Sequence, residues 1–502
     1  MAEKPEFFDY DPVTRPRRPA GLDEEAVGRN FSSRTSCPQS GSPVQDKETD
    51  SQNTNSSGDR SAKQGGRLSV SEQASAQRGR TFSSILKRGH GLSLAGVFLF
   101  TVILYFRPYE LTPALSWLSS SAFWIAVVTI AVFLPTQLGL EGNLTTRTRE
   151  VNLVLLLTLA VSLSIPLALS PEAALAGFGD YLKVVVVFVV MVNVVRTTNR
   201  LKALLLLALT ASCFMSLAAL NDYRLGNLAL EGKRISGSIG GMFGNPNDLA
   251  LHLVTMTPLA IALSLSTRSL LRKFLYAVCA ALFVMAIVVT FSRGGVLGLV
   301  VAAFVLVIKL TRNLRLLTGA VFLALVLVGL AFSPAEFRER VFTTSDQSTI
   351  RRTDDLKRSI YLAIRHPLFG VGMSNFVLYS NQAKATHNAY TQVAAETGLA
   401  AAAFYVLFLV APLKPLRRIE RDNLKEKKKP PAYYLAIGLQ ASLVGYMVSS
   451  FFASVAFLWY AYYLVAYAIA FRRIYESSRV CPPAVSADAP SEGAVTTIPE
   501  CS

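Results

Sequence analysis

The chain has 502 residues, 51% of them hydrophobic and only 17% charged, with a mean hydropathy of +0.38; soluble domains carry about 25% charged residues. The net charge of +17 would suggest a nucleic-acid partner in a soluble protein. Here Lys and Arg collect in short loops between apolar runs, as the positive-inside rule requires, and nucleic-acid binding is excluded on that distribution.

Residues 1–90 are rich in Ser, Gly, Gln and charge and cannot bury a core, so they are expected to form a disordered tail. Its basic last third suits a cytoplasmic, juxtamembrane position near anionic lipid. Residues 91–473 then hold twelve apolar runs, at 91–107, 114–135, 151–170, 178–195, 201–220, 248–266, 271–291, 294–310, 314–333, 391–411, 433–453 and 456–472. Each is long enough to cross a hydrocarbon core of about 30 Å. With the N-terminus inside, the inner loops carry Arg147 and Arg149; Arg196, Arg200 and Lys202; Arg268, Arg272 and Lys273; Lys309, Arg312 and Arg315; and the basic stretch 414–429. The short outer turns at 171–177 and 454–455 carry no Lys or Arg. The expected fold is all-α, a polytopic protein of about twelve transmembrane helices with both termini cytoplasmic. Cys213 and Cys279 lie in apolar runs and Cys37, Cys481 and Cys501 in polar tails, so neither a disulfide framework nor a zinc site is implied.

Two outer loops are long, 221–247 and 334–390. In the second, Leu356, Ile360, Ala363 and Ile364 recur at helical spacing. Thr353 is expected to cap that helix, Asp354 and Asp355 to occupy its first turn, and Pro367 to end it. The spacing predicts an amphipathic helix lying against the outer face. Residues 474–502 read as a second disordered tail.

The chemistry-bearing residues fall in these outer segments. The first long loop ends "GKRISGSIGGMFGNPNDLALHL", where Asn247 or Asp248 is expected to cap the sixth span. Its glycines suit a backbone cradle for phosphate, or simply a re-entry turn; the Lys-Ser/Thr ending of a Walker A motif is missing. In "TFSRGGVLGL", Arg293 sits among apolar residues at a cost of a few kcal/mol. It either snorkels to the headgroups or serves a ligand that Gly294 and Gly295 let approach the backbone. Arg351 and Arg352 offer planar guanidinium forks beside a helix start, suited to an anion, or else pair with Asp354 or Asp355. In "HNAYTQVAAETGL", His387 stands at a helix N-terminus near arginines, and both disfavour imidazolium. A neutral imidazole fits a general base, and a structural histidine is the alternative. Glu396, nine residues on, is expected within the membrane with a partner or a task. No pair of outer carboxylates stands out as a metal site. Cations and an imidazole at a membrane surface suggest an anionic, membrane-anchored substrate such as a lipid diphosphate.

At these residues the sequence resembles the O-antigen ligase and polymerase superfamily of bacterial membrane proteins, itself similar in fold to polyprenyl-sugar glycosyltransferases of the GT-C type. The matching pieces are "GMFGNPNDLA", "TFSRGGVLGL", "RTDDLKRSIYLAIRHPLFGVGMSNF" and "HNAYTQVAAETGL", in that order, with "FRPYE" as the first outer turn; together they span roughly 91–473. The resemblance implies transfer of a glycan from undecaprenyl diphosphate to a lipid or glycan acceptor on the periplasmic face of the bacterial inner membrane, without metal or cofactor. Carried onto this chain, Arg293 and Arg352 hold the diphosphate with Arg234 as third cation, and His387 orients or deprotonates the acceptor hydroxyl. Asn388, Glu396, Gly294, Gly295 and Asn245 support them. The family often has Trp four residues after its second arginine, where this chain has Leu356; Arg352 is preferred over Arg351 for its spacing to Pro367. Ligase activity leads, and polymerase activity is the alternative. A flippase for lipid-linked glycan is the reading from another class; its broken helices and mid-membrane charges contrast with polar groups gathered at one face.

Overall fold

The computed structural model describes residues 89–111, 115–116, 118, 121–227, 235, 244–311, 347–380, 385–426 and 428–480, all within one unit. Among these, all regular structure is helical. The long helices are α1 (Gly89–Phe106), α3 (Ser121–Glu141), α4 (Arg149–Ser164), α5 (Pro171–Val194), α6 (Thr198–Arg224), α7 (Pro246–Ser266), α8 (Leu270–Val289) and α9 (Arg293–Leu310), with a one-turn α2 (Pro108–Leu111) after the first. They are followed by α10 (Gln347–Arg365), α11 (Phe376–Tyr379), α12 (Ala389–Thr397), α13 (Leu399–Val410), α14 (Leu413–Asp422), α15 (Pro431–Ser449) and α16 (Trp459–Val480). Small polar residues start several of them: Thr148, Ser170, Thr197, Asn245 and Ser292 each accept a backbone N–H of the first turn, the groups a helix start leaves unsatisfied.

Among the described residues, ten helices are long and apolar enough to cross a membrane, which makes this an all-α polytopic membrane protein. Ten of the twelve expected spans correspond to them. The run at 314–333 and the tail 1–88 lie outside the described residues. The run expected at 391–411 starts later, at Leu399, because Gly398 (φ +92°) breaks the helix. The last expected span is a helix, α16, but five tyrosines and its charged end at Arg472, Arg473, Glu476 and Arg479 leave it less apolar than the ten. It runs to Val480, so the first part of the stretch 474–502 is helical; residues 481–502 lie outside the described residues. The expected cap also changes: Asn245, not Asn247 or Asp248, starts α7, because Pro246 takes the first helical position.

α7 and α15 form the centre, with 83% and 67% of their spanning windows buried. They pack on each other and on α9. Gly445 makes this possible, since a Cβ there would meet Ala302 and Val254, each at 3.0 Å; small residues let membrane helices approach closely. Outward, Leu270, Leu271 and Phe274 of α8 are exposed, as lipid-facing side chains are.

The loops sort to two ends. At one, Arg196 pairs with Glu141, Lys309 with Glu420, Arg472 with Glu150 and Arg479 with Asp422. The Arg472–Glu150 pair is forked, at 2.8 and 3.2 Å, on a carboxylate only 1% exposed; removing one partner would leave a buried charge uncompensated. At the other end, Asn375 exchanges two hydrogen bonds with the Ser170 backbone, and Leu399 N donates to Pro367 O. Among the described residues, those expected inside thus gather at one end, and those expected outside at the other.

Candidate functional site

Ser292 opens α9 by accepting from Gly295 N at 3.2 Å, and Arg293 is the first helical residue, half-buried. Phe291 before it has φ +52°. The glycines beside Arg293 do not face an open cradle. A Cβ on Gly294 would meet Phe452 at 2.6 Å, and one on Gly295 would meet Ala250 at 2.6 Å. This corrects the expectation that they admit a ligand: they let α9 close against α7 and the turn after α15. Ser449 Oγ donates to Gly294 O at 3.2 Å, fixing the same helix start.

His387 stands two residues before α12, with φ +54°. Its N–H donates to Ser454 Oγ at 2.7 Å, and Thr386 Oγ1 lies 3.2 Å from the same oxygen. Asn388 is the N-cap: its Oδ1 accepts from Tyr390 N and Thr391 N at 2.9 and 3.1 Å. Its buried Nδ2 has no partner among the described residues. One short segment, 449–454, therefore touches both the start of α9 and the loop of His387. Between its ends, Ser450 Oγ donates to Tyr390 Oη at 3.3 Å.

Among the described residues, Arg107, Phe291, Ser374 and His387 are the non-glycine residues with positive φ, and all four lie at this end. Such strain persists where surrounding structure over-determines it, and it clusters at functional sites. Arg107, 5% exposed, was not singled out in the sequence although "FRPYE" contains it. It and Asp248 lie within electrostatic reach of the Tyr460 hydroxyl. Ser449 and Ser454 were missed altogether. Asn245, at the start of α7, is exposed. Arg234 lies outside the described residues.

α10 differs from expectation at its start. It begins at Gln347, so Thr353 is an interior residue and not a cap. Its apolar residues also split between two faces. Leu362 joins Val371, Phe376 and Ala395 in a small core, with Ala363 buried beside Leu362, while Ile360 and Ile364 are exposed. Arg351 lines a cavity of about 580 Å³ with Asp354, Asp355, Arg358, Tyr361 and Tyr379. Arg352, its neighbour, is half-buried; successive helical residues point about 100° apart. The structure therefore brings His387 and the start of α9, beside Arg293, onto one segment, and α10, which carries Arg352, packs on α12.

Glu396 sits in α12, 3% exposed, ahead of the break at Gly398 and not inside the following span as expected. Burial pushes its carboxyl up to about 8, partly offset by the N–H groups of Ser374 and Phe376 and by Gln392. A raised carboxyl stabilises the fold below its unfolded value of 4.5, and that contribution is lost as pH rises toward 8. Glu396→Gln is expected to melt several degrees above the unsubstituted protein at pH 9 and to match it closely at pH 4, measured by thermal unfolding in detergent.

The fold and this end of the bundle define a multi-pass helical membrane protein in which the backbone beside Arg293 and that of His387 are braced on one turn. Residues 278–406 match the family model described as O-Antigen ligase, the family to which the sequence resemblance points. The match takes in Arg293, Arg352, His387 and Glu396 and leaves out the 449–454 turn. No curated protein matches the chain.

Proposed function

We propose that this protein transfers a glycan from undecaprenyl diphosphate to an acceptor hydroxyl on the periplasmic face of a bacterial inner membrane, in the manner of an O-antigen ligase, with both termini in the cytoplasm. The observation that carries this reading is the common anchoring of His387 and of Gly294, the neighbour of Arg293, on residues 449–454. The Arg293 guanidinium, with Arg352 and Arg234, neutralises the donor's diphosphate as charge builds on it; fixed cations in a dry site are worth far more than in water. His387 accepts the proton of the acceptor hydroxyl. The hydroxyl oxygen attacks the anomeric carbon in line, the bond from that carbon to the diphosphate oxygen breaks, and undecaprenyl diphosphate departs with the electron pair. The unpartnered Asn388 Nδ2 is a donor beside His387 for a substrate oxygen. The cavity at Arg351 mixes two carboxylates with guanidinium and phenol groups, a set suited to the hydroxyls of a glycan more than to a diphosphate.

The test is a gel of surface glycans from a strain lacking the protein. Full-length polymer that stays lipid-linked and never reaches its acceptor is the result expected of a lost ligase. Acceptors carrying single repeats would assign the chain to the polymerases of the same superfamily, and unchanged glycans would contradict both.

A further inference from the structure

The segment 449–454 reads Ser-Ser-Phe-Phe-Ala-Ser and forms a single 3-10 turn, Ser450–Phe452, between α15 and α16. Its two terminal serines bond backbone groups of the two residues placed at the chemistry or directly beside it. Ser449 Oγ donates to the carbonyl of Gly294, next to Arg293, at 3.2 Å. Ser454 Oγ accepts the N–H of His387 itself at 2.7 Å. His387 holds φ +54°, a strained backbone for a residue with a side chain that persists only where its surroundings impose it. The imposing contacts are visible. Ser454 Oγ meets Thr386 Oγ1 at 3.2 Å, and Thr386 Oγ1 donates to Asn388 O at 3.0 Å, so hydroxyls bracket the strained residue on both sides.

The turn is itself held from beneath. Tyr446 Oη donates to Val455 O at 3.4 Å and lies 3.0 Å from Tyr405 Oη. Tyr462 Oη donates to Ala456 O at 3.3 Å. These tyrosines are fully buried, which makes the support rigid. Phe452, packed where a Cβ on Gly294 would fall, closes the turn against α9.

We propose that Ser449 and Ser454 are positioning residues: the turn between them is a spacer that sets the separation and aim of the Arg293 guanidinium and the His387 imidazole. The inference rests on the glycosyl-transfer reading above. It assigns part of the site to a segment outside the residues that match the family model. Neither serine touches the reacting atoms. Each acts through the backbone it holds, and a misplacement of about 1 Å at a reacting group costs on the order of 100-fold in rate.

The experiment uses the full chain in nanodiscs with undecaprenyl-diphosphate-linked glycan and a hydroxyl acceptor, comparing Ser454→Ala, Ser454→Thr, Ser449→Ala and His387→Ala. Ser454→Ala is expected to lower kcat by about 10- to 100-fold with KM for the donor within about twofold. Ser454→Thr, which keeps the oxygen, is expected to restore most of kcat, and the melting temperatures of both are expected to match the unsubstituted protein. Ser449→Ala is expected to raise KM for the donor instead, because it loosens the arginine end. Unchanged kcat in Ser454→Ala, or a loss that threonine does not rescue, overturns the proposal. If His387→Ala still transfers glycan, the site reading falls first; if His387→Ala is inactive while Ser454→Ala is fully active, only the spacer falls.

Discussion

His387→Ala is expected to reduce glycan transfer by about 1,000-fold, within the range a positioned general base contributes, while the protein inserts and melts as before. The stability half of this expectation follows from what holds the residue. The contact fixing the 386–388 loop is made by the His387 backbone N–H to Ser454 Oγ, and alanine keeps that N–H. The α12 cap belongs to Asn388, also untouched. The substitution thus removes the imidazole and leaves both of these contacts in place. Transfer is read with the purified protein, a lipid-linked donor and an acceptor glycan, and wild-type rates in the variant would remove His387 from the mechanism.

Arg293→Ala is expected to lower transfer by about 100- to 1,000-fold, the cost of removing one preorganised group from developing charge, and to raise KM for the donor. Arg293 begins α9 behind a Ser292 cap. Its charge therefore adds to the positive end of the helix dipole, where an anion is favoured and a cation is not. An anionic ligand there is favoured by the guanidinium and by the helix start together. Arg293→Lys keeps the charge but not the planar fork, so it should recover part of the binding and less of the rate. Equal kcat and KM in the alanine variant would show that the side chain serves only the headgroup region.

The spans were legible because hydropathy sums over about twenty residues and tolerates local error. The breaks were not. "ETGLAAAAFY" reads as unbroken helix until Gly398 is seen at φ +92° with Leu368 O lying where a Cβ would go. Pro246 did carry a readable signal for the α7 start, since proline favours the first helical position, and weighing it would have chosen Asn245 as the cap. Of the site, Arg293 and His387 were visible as polar residues out of place in apolar surroundings. Gly294 and Gly295 were visible too, but a glycine looks the same whether a ligand or a neighbouring helix takes the space. Ser449 and Ser454 were not legible at all: their role is tertiary, reaching from one helix end to residues 155 and 67 positions away, and serines at a loop carry no distinguishing pattern.

Diethyl pyrocarbonate footprinting of the full chain in nanodiscs, read by mass spectrometry at His387 and at exposed His366 as internal control, tests most directly whether cation and imidazole share one ligand. Undecaprenyl diphosphate is expected to shield His387 but not His366, and Arg293→Ala is expected to abolish that shielding. Modification of His387 that is indifferent to the lipid would contradict a common pocket.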